Sequence, residues 1–333
     1  MVATIDEAVA IIARVASLPG NADYLADTQR GLRLAGVTAA VATRNIPALY
    51  RWFMDGFSYQ AISDQTALAY IANHGNADWP TVETLLGARD HRCPKLTDFG
   101  SYRGCRYRKS AWTCGNPETL PTCPVPSLPL RKGILNEQAF SLFLFIRDRC
   151  AGDLVGFIDS VIASAGEGSD RTAAQREALL DAIGEVQGVS RKLMSMMLSM
   201  LLVADPNRPH WVPIGQSMVA IDSLVHNFLH RTGILAAYGA SHPYGQRCFS
   251  RTGCESIIRD LADRFDARTV NSEFPRSFPR MVQHAIWRFC AIGELDVCNG
   301  KNIRRDRFCA LTWCPLWSMC SRLPLVAPEP PAG

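Results

Sequence analysis

The chain has 333 residues, of which 47% are apolar and 20% charged. At ~150 residues per domain that length suggests two domains, and the apolar share excludes wholesale disorder. A net charge of +4 does not by itself argue for a nucleic-acid partner, but the charge is unevenly placed. Residues 88–133 hold nine basic side chains (Arg89, Arg92, Lys95, Arg103, Arg106, Arg108, Lys109, Arg131, Lys132) against three acidic ones (Asp90, Asp98, Glu118), a local charge of +6.

Twelve cysteines are far too sparse for a small secreted disulfide scaffold. The opening MVATIDEAVA carries early acids and no basic stretch before an apolar core, so no signal peptide is expected. No apolar run reaches the ~18 residues that a membrane span needs. The expectation is a cytoplasmic chain (nucleoid-associated if prokaryotic), monomeric and with no membrane partner. Thiols stay reduced there, and clustered cysteines then read as metal ligands rather than disulfides.

In chain order, residues 4–44 read as amphipathic helix, with Ile5, Val9, Ile12 and Val15 at helical spacing. A second helical region spans 46–74, broken near Gly56 and ended by His74-Gly75. Residues 88–133 contain six prolines and little periodicity, which predicts an irregular insert, and a loop of that length suggests a function or a metal clip. Helix resumes over 136–164. Gly166, Gly168 and Ser169 form a linker, and 170–185 and 191–203 are helices joined by a tight turn. A polar loop covers 204–217, and further helices cover 222–231, 251–265 and 277–292. The tail from 323 to 333 is proline-rich and expected to be disordered. Strand-like alternation is scarce, so the expected fold class is all-α.

The stretch from Ile183 to Leu202 carries the most information. Gly188 can supply the open backbone of a sharp turn, and the helix that begins near Ser190 would present free backbone N–H groups to an anion such as a DNA phosphate. That helix is apolar on nearly every side. Lys192 in its first turn is therefore unusual, because burial and the helix dipole would both disfavour its charge. Two readings stand: a lysine of lowered pKa that forms a Schiff base, or one that snorkels to solvent and pairs with a phosphate or an acid. Downstream, Asp222 precedes an amphipathic helix. It reads as an N-cap or as a carboxylate that supports positive charge near an amine nucleophile.

Together these segments resemble the helix-hairpin-helix DNA glycosylases, in particular the endonuclease III-like branch. Gly188-Val189-Ser190-Arg191-Lys192 is similar to the family's L-P-G-V-G-R-K hairpin, with Gln187 in place of proline and Ser190 in place of the second glycine. Ile221-Asp222-Ser223 with Arg231-Thr232-Gly233 is similar to its V-D-T-H-x-x-R-x-x-x-R segment, although the interval from Lys192 is longer, with an insert around residues 205–211. Ser58 to Asp64 looks like the S-x-Q-x-x-D segment with one extra residue. The resemblance implies a six-helix barrel domain (45–222, containing the hairpin at about 170–203 and the basic insert) and an iron–sulfur domain built from 1–44 and 223–322. It makes Lys192 the Schiff-base lysine and Asp222 the essential aspartate. Gly188, Ser190 and Arg191 become DNA contacts, and Gln60 the residue that enters DNA near the lesion, with a buried polar helix position as the alternative. His210 and Trp211 in the long interval are read as contacts to a flipped base or as loop packing.

Cys298, Cys309, Cys314 and Cys320 are spaced C-x10-C-x4-C-x5-C. Four thiolates suit zinc or an iron–sulfur cluster, and spacing does not choose between them. The resemblance implies a [4Fe–4S] cluster, although only the last interval equals the family's C-x6-C-x2-C-x5-C. Lys301, Arg304, Arg305 and Arg307 in the first ligand loop would grip phosphate, or else form a solvated charged loop. Cys93, Cys105, Cys114 and Cys123 form a weaker four-cysteine pattern in the insert, a candidate zinc site. Phe99, Tyr102, Tyr107 and Trp112 interleave with basic residues there, as on a nucleic-acid surface. Cys150, Cys248 and Cys254 show no partner pattern, and Cys290 reads as core.

The resemblance thus implies a base-excision glycosylase with AP lyase activity. It would bind double-stranded DNA, flip a damaged or modified base, expected to be a pyrimidine, into a pocket between the two domains, and excise it. The alternatives are a monofunctional glycosylase and a non-catalytic DNA-binding protein.

Overall fold

The computed structural model describes residues 4–60, 62, 64–87, 93–108, 135–165, 170–299 and 303–326. Among them every regular element is helical and none is a strand, so the class is all-α. The region 4–44 is three helices, α1 (Ile5–Ala16), α2 (Tyr24–Leu34) and α3 (Val37–Ala42). A capping box between Thr4 and Glu7 starts α1, and Ala8, Ile11, Ile12 and Val15 form its buried stripe. Pro19 lacks the N–H needed to prolong it.

The next helices are α4 (Ile46–Phe57), α5 (Asp64–His74) and α6 (Trp79–Gly87). Gly56 does not break α4. It stays within the helix, and a Cβ there would lie 2.2 Å from the Met197 sulfur, so glycine permits a close approach. The helix α6 was not anticipated. Its start carries a readable signal, the Asp78 carboxylate accepting from the Thr81 N–H at 2.9 Å. The described part of the insert is not irregular throughout, since it contains α7 (Phe99–Tyr102).

The remaining helices are α8 (Asn136–Leu144), α9 (Leu154–Ser164), α10 (Arg171–Ile183), α11 (Arg191–Val203), α12 (Val212–Ser217), α13 (Ser223–Arg231), α14 (Ile234–Ala237), α15 (Cys254–Arg264) and α16 (Pro279–Cys290). The helical region expected over 136–164 is two helices, separated by a π-helical turn at Phe145–Arg149 and by Ala151 and Gly152, both at positive φ. The linker glycines 166 and 168 and Ser169 lie outside the described residues.

Two compact units result: residues 29–214, and residues 1–28 with 215–333. The boundaries fall within α2 and α12, whereas the sequence reading puts them near 44–45 and 222–223. In the first unit, α4 is central. Its Leu49, Tyr50, Phe53, Met54 and Phe57 are buried, and it packs on α3, α6, α8 and α11. The Tyr50 hydroxyl donates to the Ala139 carbonyl at 2.9 Å, and burial raises its pKa well above the usual phenol value. In the second unit, α16 is buried over most of its surface and packs on α1, α13 and α15.

In residues 29–214, Asp159 of α9 gathers the loop after α11. It accepts from Arg208 at 2.7 Å and from the Trp211 indole at 2.7 Å, and faces the His210 ring at 3.3 Å. The Trp211 side chain is fully buried, with the Arg208 guanidinium 4.7 Å from its ring centroid. Loop packing therefore accounts for Trp211, which is not exposed to stack on a base.

Burial alone would raise the Asp159 pKa, but hydrogen bonds from Arg208, Trp211 and His210 outweigh it and hold the group below the ordinary carboxylate value. A carboxylate lowered on folding stabilises the protein above its unfolded pKa of ~4, and the contribution is lost as pH falls through the folded value. Asp159→Asn is thus expected to cost about 1–3 kcal/mol at pH 7 and much less at pH 3, as read by urea denaturation at both pH values. An equal loss at both would contradict the assignment.

Candidate functional site

The hairpin α10–turn–α11 is built in the unit 29–214. At its tip Gly188 has φ +78°, a conformation that favours glycine. Its carbonyl accepts from the side-chain amides of Gln60 at 2.9 Å and Gln138 at 2.7 Å. The Gln60 carbonyl oxygen accepts in turn from the Ser190 N–H at 3.2 Å, and Ser141 Oγ accepts from the Gln187 N–H at 2.8 Å. Gln60 thus bridges both sides of the turn within the protein. In this conformation its amide is engaged rather than projecting.

Ser190 caps α11, its Oγ accepting from the Leu193 N–H at 3.3 Å. Arg191, at the first helical position, pairs with Glu177 at 2.9 Å, tying the two hairpin helices together. Burial would raise the Glu177 pKa, but hydrogen bonds from Arg191 and Arg176 outweigh it and lower it. Lys192 is half-buried and makes no hydrogen bond or ion pair among the described residues. Asp222 belongs to the other unit. It is the N-cap of α13, its Oδ1 accepting from the Val225 N–H at 2.9 Å, so the capping role is real whatever else the carboxylate does.

Cys298, Cys309, Cys314 and Cys320 line a single pocket, together with Arg231, Arg322, Phe289 and Trp317. Arg231 Nη1 and Arg322 Nε are buried donors with no partner among the described residues, and the Arg322 N–H lies 3.3 Å from Cys320 Sγ. Burial lowers the Arg231 pKa, while negative charge on Cys298, Cys309 and Cys320 opposes the fall. Residues 321–326 are held in place rather than disordered: Leu323 N–H donates to the Arg231 carbonyl and Leu325 N–H to the Arg305 carbonyl, at 2.9 and 2.7 Å. Residues 327–333 lie outside the described residues.

The ligand loop is exposed. Arg304 is tied to Asp306 at 2.8 Å, whereas Arg305 and Arg307 form no ion pair among the described residues, and Lys301 lies outside them. Two features escaped the sequence reading, the exposed aromatics Phe308 and Trp313, each 62% accessible. Phe308 follows the basic run directly, which was the available signal.

The insert corrects an expectation. Phe99 and Tyr102 are buried. Phe99 packs on Phe145 with centroids 5.4 Å apart, and the Tyr102 hydroxyl donates to the Glu137 carbonyl at 3.3 Å. They anchor the insert and do not form a stacking surface. Cys93 and Cys105 are half-buried and form no disulfide among the described residues, while Cys114, Cys123 and Trp112 lie outside the described residues.

A different cluster has metal-ligand geometry. His226, His242, Cys248 and Cys254 are all buried and bring one ligand atom each to within 4.8 Å of one another, so they could hold a metal ion. No C-x2-C knuckle marks it, and its ligands come from three separate segments.

Gln60→Ala is expected to release the turn. The Ser190 amide should exchange about tenfold faster or more, and the protein should lose about 1–2 kcal/mol of stability. Unchanged exchange at Ser190 would show that the Gln60 bridge does not hold the hairpin. Comparison with family models, curated proteins and solved structures finds no match.

Proposed function

We propose that the chain is a DNA glycosylase with AP lyase activity, of the helix-hairpin-helix, endonuclease III-like type, acting on a damaged or modified base in double-stranded DNA. The observation that carries this reading is Lys192. A cation in the first turn of α11, at the positive end of the helix dipole and without an internal partner among the described residues, suits an external anion or electrophile. The rigid Gly188 turn beside it suits the close approach of a DNA backbone. Exposed Arg305 and Arg307 supply further phosphate contacts.

In this reading the flipped nucleotide meets two groups of the chain. The neutral Lys192 amine attacks C1′ as the glycosidic bond breaks, and the base departs with its bonding electrons and a proton. Asp222 stabilises the positive charge that develops on the sugar. The C1′–O4′ bond then breaks, O4′ leaving with its bonding electrons and taking up the second amine proton, so that the opened sugar carries the C1′=N Schiff base to Lys192. Abstraction of a C2′ proton then expels the 3′ phosphate and nicks the strand, and water returns Lys192 to the free amine.

The four-cysteine cavity supports a [4Fe–4S] cluster over a single zinc. Zinc would hold four thiolates about 3.8 Å apart, yet no three of these thiols fall within 4.8 Å of one another, since among the described residues only the His226 cluster does. The orphaned Arg231 and Arg322 donors and the N–H aimed at Cys320 suit sulfide and thiolate acceptors of an anionic cluster. When bound, the cluster would fix the loop that bears Arg304, Arg305 and Arg307.

Two outcomes are expected. On a panel of duplexes carrying modified pyrimidines, Lys192→Ala should lose strand nicking by ~100-fold or more. Asp222→Asn, which can still cap α13, should fold normally yet lose base release by a similar factor. Base release with no nicking in the wild type would leave a monofunctional glycosylase, and binding without either would leave a DNA-binding protein. Second, the purified chain should contain about four irons and four sulfides; zinc bound by the four cysteines would refute the cluster.

A further inference from the structure

The quartet His226, His242, Cys248 and Cys254 is separate from the four-cysteine cavity and is not used by the proposed chemistry. His226 lies on α13, one turn after Asp222. His242 and Cys248 come from the loop between α14 and α15, and Cys254 is the first residue of α15. All four side chains are buried, at 4%, 7%, 0% and 0% accessible.

The contacts between them have the dimensions of a coordination tetrahedron. His226 Nδ1 lies 3.3 Å from Cys254 Sγ and 3.4 Å from Cys248 Sγ, and His242 Nε2 lies 3.5 Å from Cys254 Sγ. With Zn–S of 2.3 Å and Zn–N of 2.0–2.1 Å, a tetrahedral site has N···S edges of about 3.6 Å. A [2Fe–2S] cluster of the same composition binds its histidine pair and its cysteine pair on different irons. Here one histidine nitrogen touches both thiols, so the dimensions are those of a single ion.

The surroundings prepare the ligands. His242 Nδ1 lies 2.5 Å from the Ala240 carbonyl and donates to it, which fixes the tautomer with the Nε2 lone pair facing Cys254, as the outer partner of a zinc-bound histidine does. The first turn of α15 lies against the Cys248 backbone so closely that a Cβ on Gly253 would meet the Cys248 carbonyl oxygen at 2.7 Å.

We propose that His226, His242, Cys248 and Cys254 form a structural zinc site that fastens α13 and α15 to the loop between them. Four protein ligands leave no open position, so the ion is structural rather than catalytic. It would also hold the helix whose N-cap is Asp222. The site itself does not depend on the proposed glycosylase activity.

The test uses the full-length chain, expressed with zinc and purified without chelator. Zinc analysis should find one ion in this site, and zinc K-edge absorption should give a first shell of two sulfurs and two nitrogens. A shell of four sulfurs, or a chain without zinc, would overturn the proposal. The double variant Cys248→Ser, Cys254→Ser should lose one zinc per chain, whereas Cys150→Ser should lose none. An unchanged zinc count in the double variant would also overturn it. Because variants of buried ligands can fail to fold, the wild-type absorption measurement decides the proposal without them.

Discussion

The carbonyl of Gly188 accepts two side-chain amides, from Gln60 and from Gln138, and the geometry of the hairpin depends on it. A connection of seven residues between two helices, 184–190, would ordinarily sample many conformations. Here its backbone is pinned on both sides, because the same Gln60 amide also receives the Ser190 N–H. Ser190 can then cap α11, and Lys192 is carried into the first turn of a helix whose remaining length is buried. Each of those hydrogen bonds contributes about 1 kcal/mol. Together they explain why a glutamine more than a hundred residues upstream matters to a turn.

Much of the helical architecture was legible because its signals are local. The run from Leu193 to Val203 reads as a buried helix from its composition alone, and Ser190 announces its start. Asp222 as a cap and Gly188 as a turn residue were readable for the same reason. What the sequence conceals is distance. Gln60 looked like a residue free to leave the protein because its partner, the Gly188 turn, is distant in sequence. Phe99 and Tyr102 looked like stacking rings because basic residues flank them, yet α8 and its π-helical turn bury them. The His226 cluster was invisible because its spacing has no zinc-knuckle signature and its ligands meet only when α13 and α15 pack.

The two thiol-rich centres of the second unit differ in a way that follows from size. One gathers its ligand atoms within the span of a single ion. The other spreads four cysteines around a cavity edged by arginine donors that have no partner of their own. A compact mixed site and a wider all-thiolate site select different occupants, since coordination number, ligand softness and separation set metal choice more than raw affinity does. Both lie on segments that bear on the proposed chemistry: His226 is on the helix that Asp222 caps, and Cys298 and Cys309 flank the basic loop.

The central claim is that Lys192 forms a covalent bond to the sugar. Borohydride reduction of the wild-type chain on abasic-site duplex, followed by peptide mass mapping, tests it most directly. The account predicts a trapped adduct on Lys192 that disappears in Lys192→Ala. An adduct on another residue, or one that persists undiminished in that variant, would contradict it.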